Sequence, residues 1–247
     1  MATRNLLYQK QYTLKPPKAT DIKFADISIV IPSVGDILQC EDEYYNLITM
    51  LTAMPVDLMC QLDDAGIDFA SINDYELFIL LFNELKSKDT SLIFKGIDLS
   101  KFQIAMNQET EEVILLNTKD GTIINRAIHN QIASVLRKIH HLEKNRRKPA
   151  NEEAKKFMLE REKIKLARKK NRVEDSQLES LIIAMVNTEQ YKYDFESTKN
   201  LSIYQFNESV RQIIKKVDYD NLMIGVYAGT VSTKELNKDD LNWLIHK

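Results

Sequence analysis

Six glycines in 247 residues, about 2% against the roughly 7% of ordinary chains, limit what this sequence can become. Glycine supplies left-handed turns and close backbone approach. With five prolines as the other turn former, the chain has too few punctuation residues for a turn-rich all-β fold. Collagen-like and Gly/Ser-linker architectures are excluded on the same ground. The expected class is mainly α, an α+β fold with a small antiparallel β-sheet. Hydrophobic residues at 44% and charged residues at 28% are enough for a packed core and exclude wholesale disorder.

Periodicity places the elements. Ile27–Ile31 form a β-branched run that Pro32 ends, as a strand would. Tyr44, Leu47, Ile48 and Leu51 share one helical face. Gly66 sits where a helix over roughly 56–64 needs a left-handed cap, and Asn73 or Asp74 caps the stripe Leu77, Phe78, Leu81, Phe82, Leu85. Phe102–Met106 and Val113–Leu116 read as a hairpin, with a second turn at Asp120-Gly121. Ile128, Ile132, Val135, Leu136, Ile139 and Leu142 keep helical spacing for four turns. Capping boxes Ser176/Glu179 and Ser202/Gln205 open two later helices. A separate short helix is expected near 219–227, packed closely on its predecessor through Gly225 and Gly229, and Asn237 and Asp240 open a last turn carrying Trp243.

Charge is segregated. Residues 137–172 hold fifteen Lys/Arg against five Asp/Glu, a local charge of +10, so the rest of a chain of net charge −2 carries −12. Pro149 interrupts this segment. Beyond it, 151–172 reads as a helix about 33 Å long, with Glu152→Lys156, Glu160→Lys163 and Glu162→Lys165 as intrahelical pairs. Four units follow: an extended N-terminal arm (1–20), an N-terminal α+β lobe with the hairpin (21–145), a basic connecting helix (146–174) and a C-terminal helical lobe (175–247). The fold expected is two helical lobes joined by a long basic helix. That helix is either a solvated, salt-bridged connector, an electrostatic surface for an acidic protein, another copy included, or a phosphate-binding element. Only Phe157 interleaves its charges, which leaves base stacking little to work with. A helix-turn-helix over 203–228 is rejected, because its recognition helix would carry Asp218 and Asp220 and no basic residue.

No phosphate-binding glycine loop, dinucleotide fingerprint or nucleophile elbow occurs. His129, His140, His141 and His246 lack the partner spacing of a zinc site. No catalytic residue, metal or cofactor is assigned. Asp63-Asp64 and Asp239-Asp240 read as solvated carboxylates at helix ends, where they meet the macrodipole favourably. Cys40 and Cys60 read as small buried hydrophobes of a reducing compartment. The N-terminus lacks a secretory apolar core, and the uncharged stretch 44–56 is too short to span a membrane. A soluble protein made in a cytoplasm is expected.

Four stretches carry a resemblance: ISIVIPSVGDI at 27–37 with the following YYNLITMLTAMPVDLMCQLDDAGIDF, INDYELFILLF at 72–82, and NLSIYQFNESVRQIIKKVDYDNLMIGVYAGTV at 200–231 ahead of Leu241-Asn242-Trp243. Together they resemble uncharacterised virion-morphogenesis proteins, encoded in the tail region of long-tailed bacteriophages of Gram-positive bacteria, of the tail-assembly-chaperone or minor tail protein type. The resemblance implies a non-enzymatic structural or tail-assembly protein, acting by protein–protein docking in the host cytoplasm or the virion. Its partners would be other phage tail or virion proteins, with self-association as a further option. The expected contact surface is Arg146, Arg147, Lys148, Lys155, Lys156, Arg161, Lys165, Arg168, Lys169 and Lys170. The alternative is a phage nucleic-acid-associated protein using 144–172, and an uncharacterised enzyme stands third.

Overall fold

A computed structural model of the chain describes residues 6–14, 27–108, 110–170, 176–232, 234, 236–237 and 240–244. The strands are β1 (Gln11–Thr13), β2 (Ser28–Val30), β3 (Phe94–Lys95), β4 (Phe102–Met106), β5 (Val113–Asn117) and β6 (Ile123–Ile124). The helices are α1 (Val34–Leu38), α2 (Glu41–Thr52), α3 (Met59–Asp64), α4 (Asp74–Leu85), α5 (Arg126–Ile139), α6 (Glu152–Lys170), α7 (Gln177–Val186), α8 (Phe195–Lys199) and α9 (Ile203–Tyr227). The class is the mainly helical α+β fold expected, with two antiparallel three-stranded sheets among the described residues where one was expected.

The first sheet runs β1-β2-β3. Its central strand is the β-branched run before Pro32, and Ile29 is fully buried. Residues 6–14, read above as part of a free arm, are tied down: Leu6 is buried, and Tyr12 pairs with Ile29. Residues 1–5 and 15–20 of that arm lie outside the described residues. The second sheet is the β4-β5-β6 meander, with Phe102 opposite Asn117 and Met106 opposite Val113. Its second turn uses Gly121 at φ 76°, a left-handed conformation that disfavours any side chain.

The apolar stripe of α5 is the spine of the core. Ile128, Ile132, Val135, Leu136 and Ile139 are each at most 4% exposed, and they join α2, α4 and the strands in one buried cluster. Each such side chain contributes roughly 1.5–3 kcal/mol by leaving water. The same cluster takes in Leu178, Ile182 and Met185 of α7 and Ile203, Tyr204 and Phe206 of α9. At the start of α7 the Ser176 hydroxyl accepts from Glu179 N at 2.9 Å. The returning acid is not Glu179 but Glu41 of α2, whose carboxylate accepts from the Ser176 hydroxyl and, at 3.0 Å, from Leu178 N.

One expectation fails outright. The two helices read over 203–227 are a single helix of 25 residues. Asp218, Tyr219, Asp220 and Asn221 include no residue that breaks a helix, and the Lys216–Asp220 ion pair at 2.6 Å bridges the position of the expected gap. Gly225 therefore does not admit a second helix. It makes room for Val231, whose Cγ2 would lie 2.9 Å from a Cβ there, while Gly229 at φ 71° ends the helix.

Candidate functional site

The +10 segment divides into three parts with different fates. Its first cation, Arg137 of α5, is only 9% exposed. Its guanidinium donates to the carbonyl of Thr52, the last residue of α2, and lies 3.8 Å from Met54 Sδ. A cation at a helix C-terminus is favoured by the macrodipole, so this charge has a structural role in the core. Burial lowers its pKa, against the opposing pull of Asp74 and Asp57.

The last part, α6, lies along α3 without entering the main core. Met158, Leu159 and Leu166 pack on a second, smaller apolar cluster that includes Val56, Met59, Cys60, Leu62 and Phe69. Ion pairs with the chain's own acids fix it at intervals: Lys155 to Asp68 at 2.8 Å and Lys163 to Asp63 at 2.7 Å. The first of these raises the pKa of Lys155 through the Asp68 hydrogen bond. Of the expected pairs, Glu160→Lys163 gives way to the Asp63 contact, Glu152 lies 3.7 Å from Lys155 instead of pairing with Lys156, and Lys165 does pair with Glu162 at 2.9 Å. Asp63 and Asp64 correct a second expectation. They sit at the C-terminal end of α3, where the macrodipole repels carboxylates, and Lys163 supplies the compensation.

Between these parts, residues 144–149 run as irregular chain over a groove of about 340 Å³. Met54, Pro55, Val56, Phe69 and Ile72 form an apolar floor, and Lys144, Arg146, Arg147 and Lys148 form a basic rim. Two contacts set the path of the rim. Lys144 Nζ bonds Asp74 Oδ2 at 2.6 Å, and Asn145 Nδ2 donates to Asp57 Oδ1 at 2.7 Å. Burial works to raise the Asp74 carboxyl, but the Lys144 hydrogen bond and charge outweigh it and hold the group below the usual carboxylate range. Asp57 also accepts from Met54 N at 2.8 Å, so one carboxylate ties rim to floor. At the groove's edge the N-terminus of α4 is closed by Asn73, whose Oδ1 accepts from Tyr75 N and Glu76 N.

The ten predicted contact residues thus separate. Arg146, Arg147 and Lys148 are exposed at the groove and make no ion pair among the described residues. Lys156, Arg161 and Arg168 are exposed on α6, also without an ion pair among the described residues. Lys155 and Lys165 are engaged within the chain. The side chains of Lys169 and Lys170 lie outside the described residues, as does Asp239. The groove floor was not singled out in the sequence, although Pro55-Val56 closes the uncharged stretch 44–56.

Two of the histidines, His129 and His140, are built into the packing, and His246 lies outside the described residues. His129 stacks on Phe78 with ring centroids 4.4 Å apart, and burial lowers its pKa to about 4. His140, the C-cap of α5, lies 2.9 Å from the Tyr44 hydroxyl through Nε2, and burial with the His141 charge beside it also lowers its pKa to about 4. A second cavity of about 490 Å³ is lined by Asp89, Asp98, Asp120 and Lys101, among others. Each of its carboxylates fastens its own turn: Asp89 accepts from Ser91 N, Asp98 from Ser100 N and Asp120 from Thr122 N. All three pKa values are lowered, Asp98 and Asp120 mainly by the side-chain hydrogen bonds of Ser100 and Thr122 and Asp89 mainly by the Ser91 amide, opposite to the shift a general acid needs.

Among the described residues no helix is long and apolar enough to cross a membrane. No curated protein and no solved structure matches the chain. Residues 168–246, about a third of it, match the family model described as the YomV second domain, a phage-derived family.

Proposed function

We propose that this chain is a non-enzymatic phage protein that docks other phage tail or virion proteins, in the host cytoplasm during assembly or in the particle. Its groove would receive an acidic segment bearing an apolar anchor. One observation carries this reading: Arg146, Arg147 and Lys148 stand over an apolar floor with no ion pair among the described residues, while neighbouring lysines are occupied by the chain's own carboxylates. Cations beside a greasy pocket suit a peptide with both features. Phosphate backbone needs the charge but not the pocket. The match of residues 168–246 to a phage-derived family supports the setting.

The test is affinity isolation from phage-producing cells with the full chain and with an Arg146→Glu, Arg147→Glu, Lys148→Glu variant, alongside mass spectrometry of purified particles. Capture of tail or virion proteins that the triple reversal abolishes supports the reading. Capture indifferent to the reversal overturns it. So does tight binding to random duplex DNA that weakens steeply with salt and is lost in the same variant, which would establish a nucleic-acid role instead.

A further inference from the structure

We propose that α9 is a homodimerisation helix, pairing antiparallel with a second copy of this chain through the outward stripe Arg211, Ile214, Asp218, Asn221 and Ile224. The helix has 25 residues, but its buried ones are Ile203, Tyr204 and Phe206, all in its first turn. Beyond them Val210 and Ile213 still pack half-buried against the core, and no later residue of the helix is buried. One side of this distal part is covered by the tail: Gln212 Nε2 donates to Trp243 O at 2.7 Å, Lys216 Nζ stands 5.9 Å from the Trp243 ring centroid, and Val231 packs on Gly225. The stripe is left open. Ile214 is 54% exposed and Ile224 67%, and Asp218, Asn221 and Arg211, whose guanidinium also lies 3.4 Å from His141 Nδ1, are exposed between and beside them.

The order of chemical types along the stripe selects the occupant. It reads cation, apolar, acid, amide, apolar, with steps of three and four residues that keep it on one side of the helix. Beside a parallel copy, Asp218 meets Asp218 and Arg211 meets Arg211, which is repulsive. Beside an antiparallel copy, with the two-fold axis passing between residues 219 and 220, Asp218 lies opposite an amide and the isoleucines fall one position apart. The amide of the partner's Asn221 donates to the Asp218 carboxylate, and the reciprocal bond forms on the other side of the axis. Ile214 packs beside the partner's Ile224, again twice. The stem of Arg211 then covers the partner's Ile224, and its guanidinium approaches the C-terminal end of the partner's α9, where the helix carbonyls carry partial negative charge. A surface that complements itself only when reversed is the signature of an isologous two-fold interface.

This proposal stands apart from the groove, so reversing Arg146, Arg147 and Lys148 leaves the dimer intact. The test is sedimentation velocity of the full chain from micromolar to submillimolar concentration. A reversible monomer–dimer equilibrium is expected. Ile224→Asp and Ile214→Asp, both at exposed positions and each checked for an unchanged circular-dichroism spectrum, are expected to weaken it about ten-fold or more. The register is read by oxidative cross-linking of two variants, Asp218→Cys and Asn221→Cys. Mixed together they form a disulfide-linked dimer above the background of Cys40 and Cys60, and alone each does so far less. A chain monomeric throughout, a dimer indifferent to both isoleucine changes, or cross-links favouring each variant with itself would overturn the proposal.

Discussion

α5 and α6 flank the same basic stretch and are attached to the protein by different physics. α5 presents a continuous apolar stripe to the core, and even its arginine at 137 is drawn inside. α6 has exposed Phe157 and Ile164 and only partly buried Met158, Leu159 and Leu166, and its position along α3 is fixed by lysine–carboxylate contacts. A helix with one greasy face is held by water's exclusion, which salt strengthens if anything. A helix with only a thin one depends in addition on charges that salt screens. Burial and Coulomb attraction thus divide the two helices into a fixed spine and an adjustable outer rod.

The comparison breaks most visibly in α5. Leu136→Ala is expected to cost about 4 kcal/mol, as a fully packed leucine does when its cavity cannot collapse, measured by urea unfolding; a loss below about 1 kcal/mol would mean α5 is not the spine. The histidines of this region come next. His129 and His140 have folded-state pKa values near 4, below the ordinary 6.5, so the unfolded chain takes up protons first. Their contribution is complete above pH 6.5 and lost as pH falls towards 4. Each is worth on the order of 3 kcal/mol, and unfolding titrations of His129→Phe should show a flatter pH profile across that window. Arg137→Ala should cost about 2 kcal/mol, since it strands the buried Thr52 carbonyl; the loss should persist in molar salt. The smallest effect belongs to α6. Raising salt, or Lys155→Ala with Lys163→Ala, should speed amide hydrogen exchange in α6 while α5 stays protected. Equal protection of both helices would remove the distinction.

What the sequence revealed follows the same division. Stripes such as Leu77–Leu85 and Ile128–Ile139, the Asn73 and Ser202 caps, the hairpin and the left-handed Gly66 are local consequences of residue type and are found where periodicity places them, although Leu142, read as the end of the second stripe, lies beyond α5 and is exposed. The pairing of β1 was not legible, because Gln11-Tyr12-Thr13 carries no apolar alternation and the strand is defined by its neighbour. The continuity of α9 differs from the two helices expected, because no helix breaker stands near 218 and Lys216 pairs with Asp220 across that point. The groove was half legible. Its cations stand together in the sequence, but its floor comes from residues 54–72, and Asp63 and Lys163 are a hundred positions apart. Spacing rules for helix surfaces reach three or four residues and say nothing about such encounters.

Glu41 has a consequence for how the molecule is divided. A single carboxylate accepts from the Ser176 hydroxyl and the Leu178 amide, and in the buried cluster that Leu178 joins, Ile203, Tyr204 and Phe206 are at most 1% exposed. Severing the chain between 170 and 176 would therefore not release a portable cassette. It would lay bare a sticky aromatic underside on one fragment and a matching scar on the other, and the two pieces, mixed in a test tube, should find each other again.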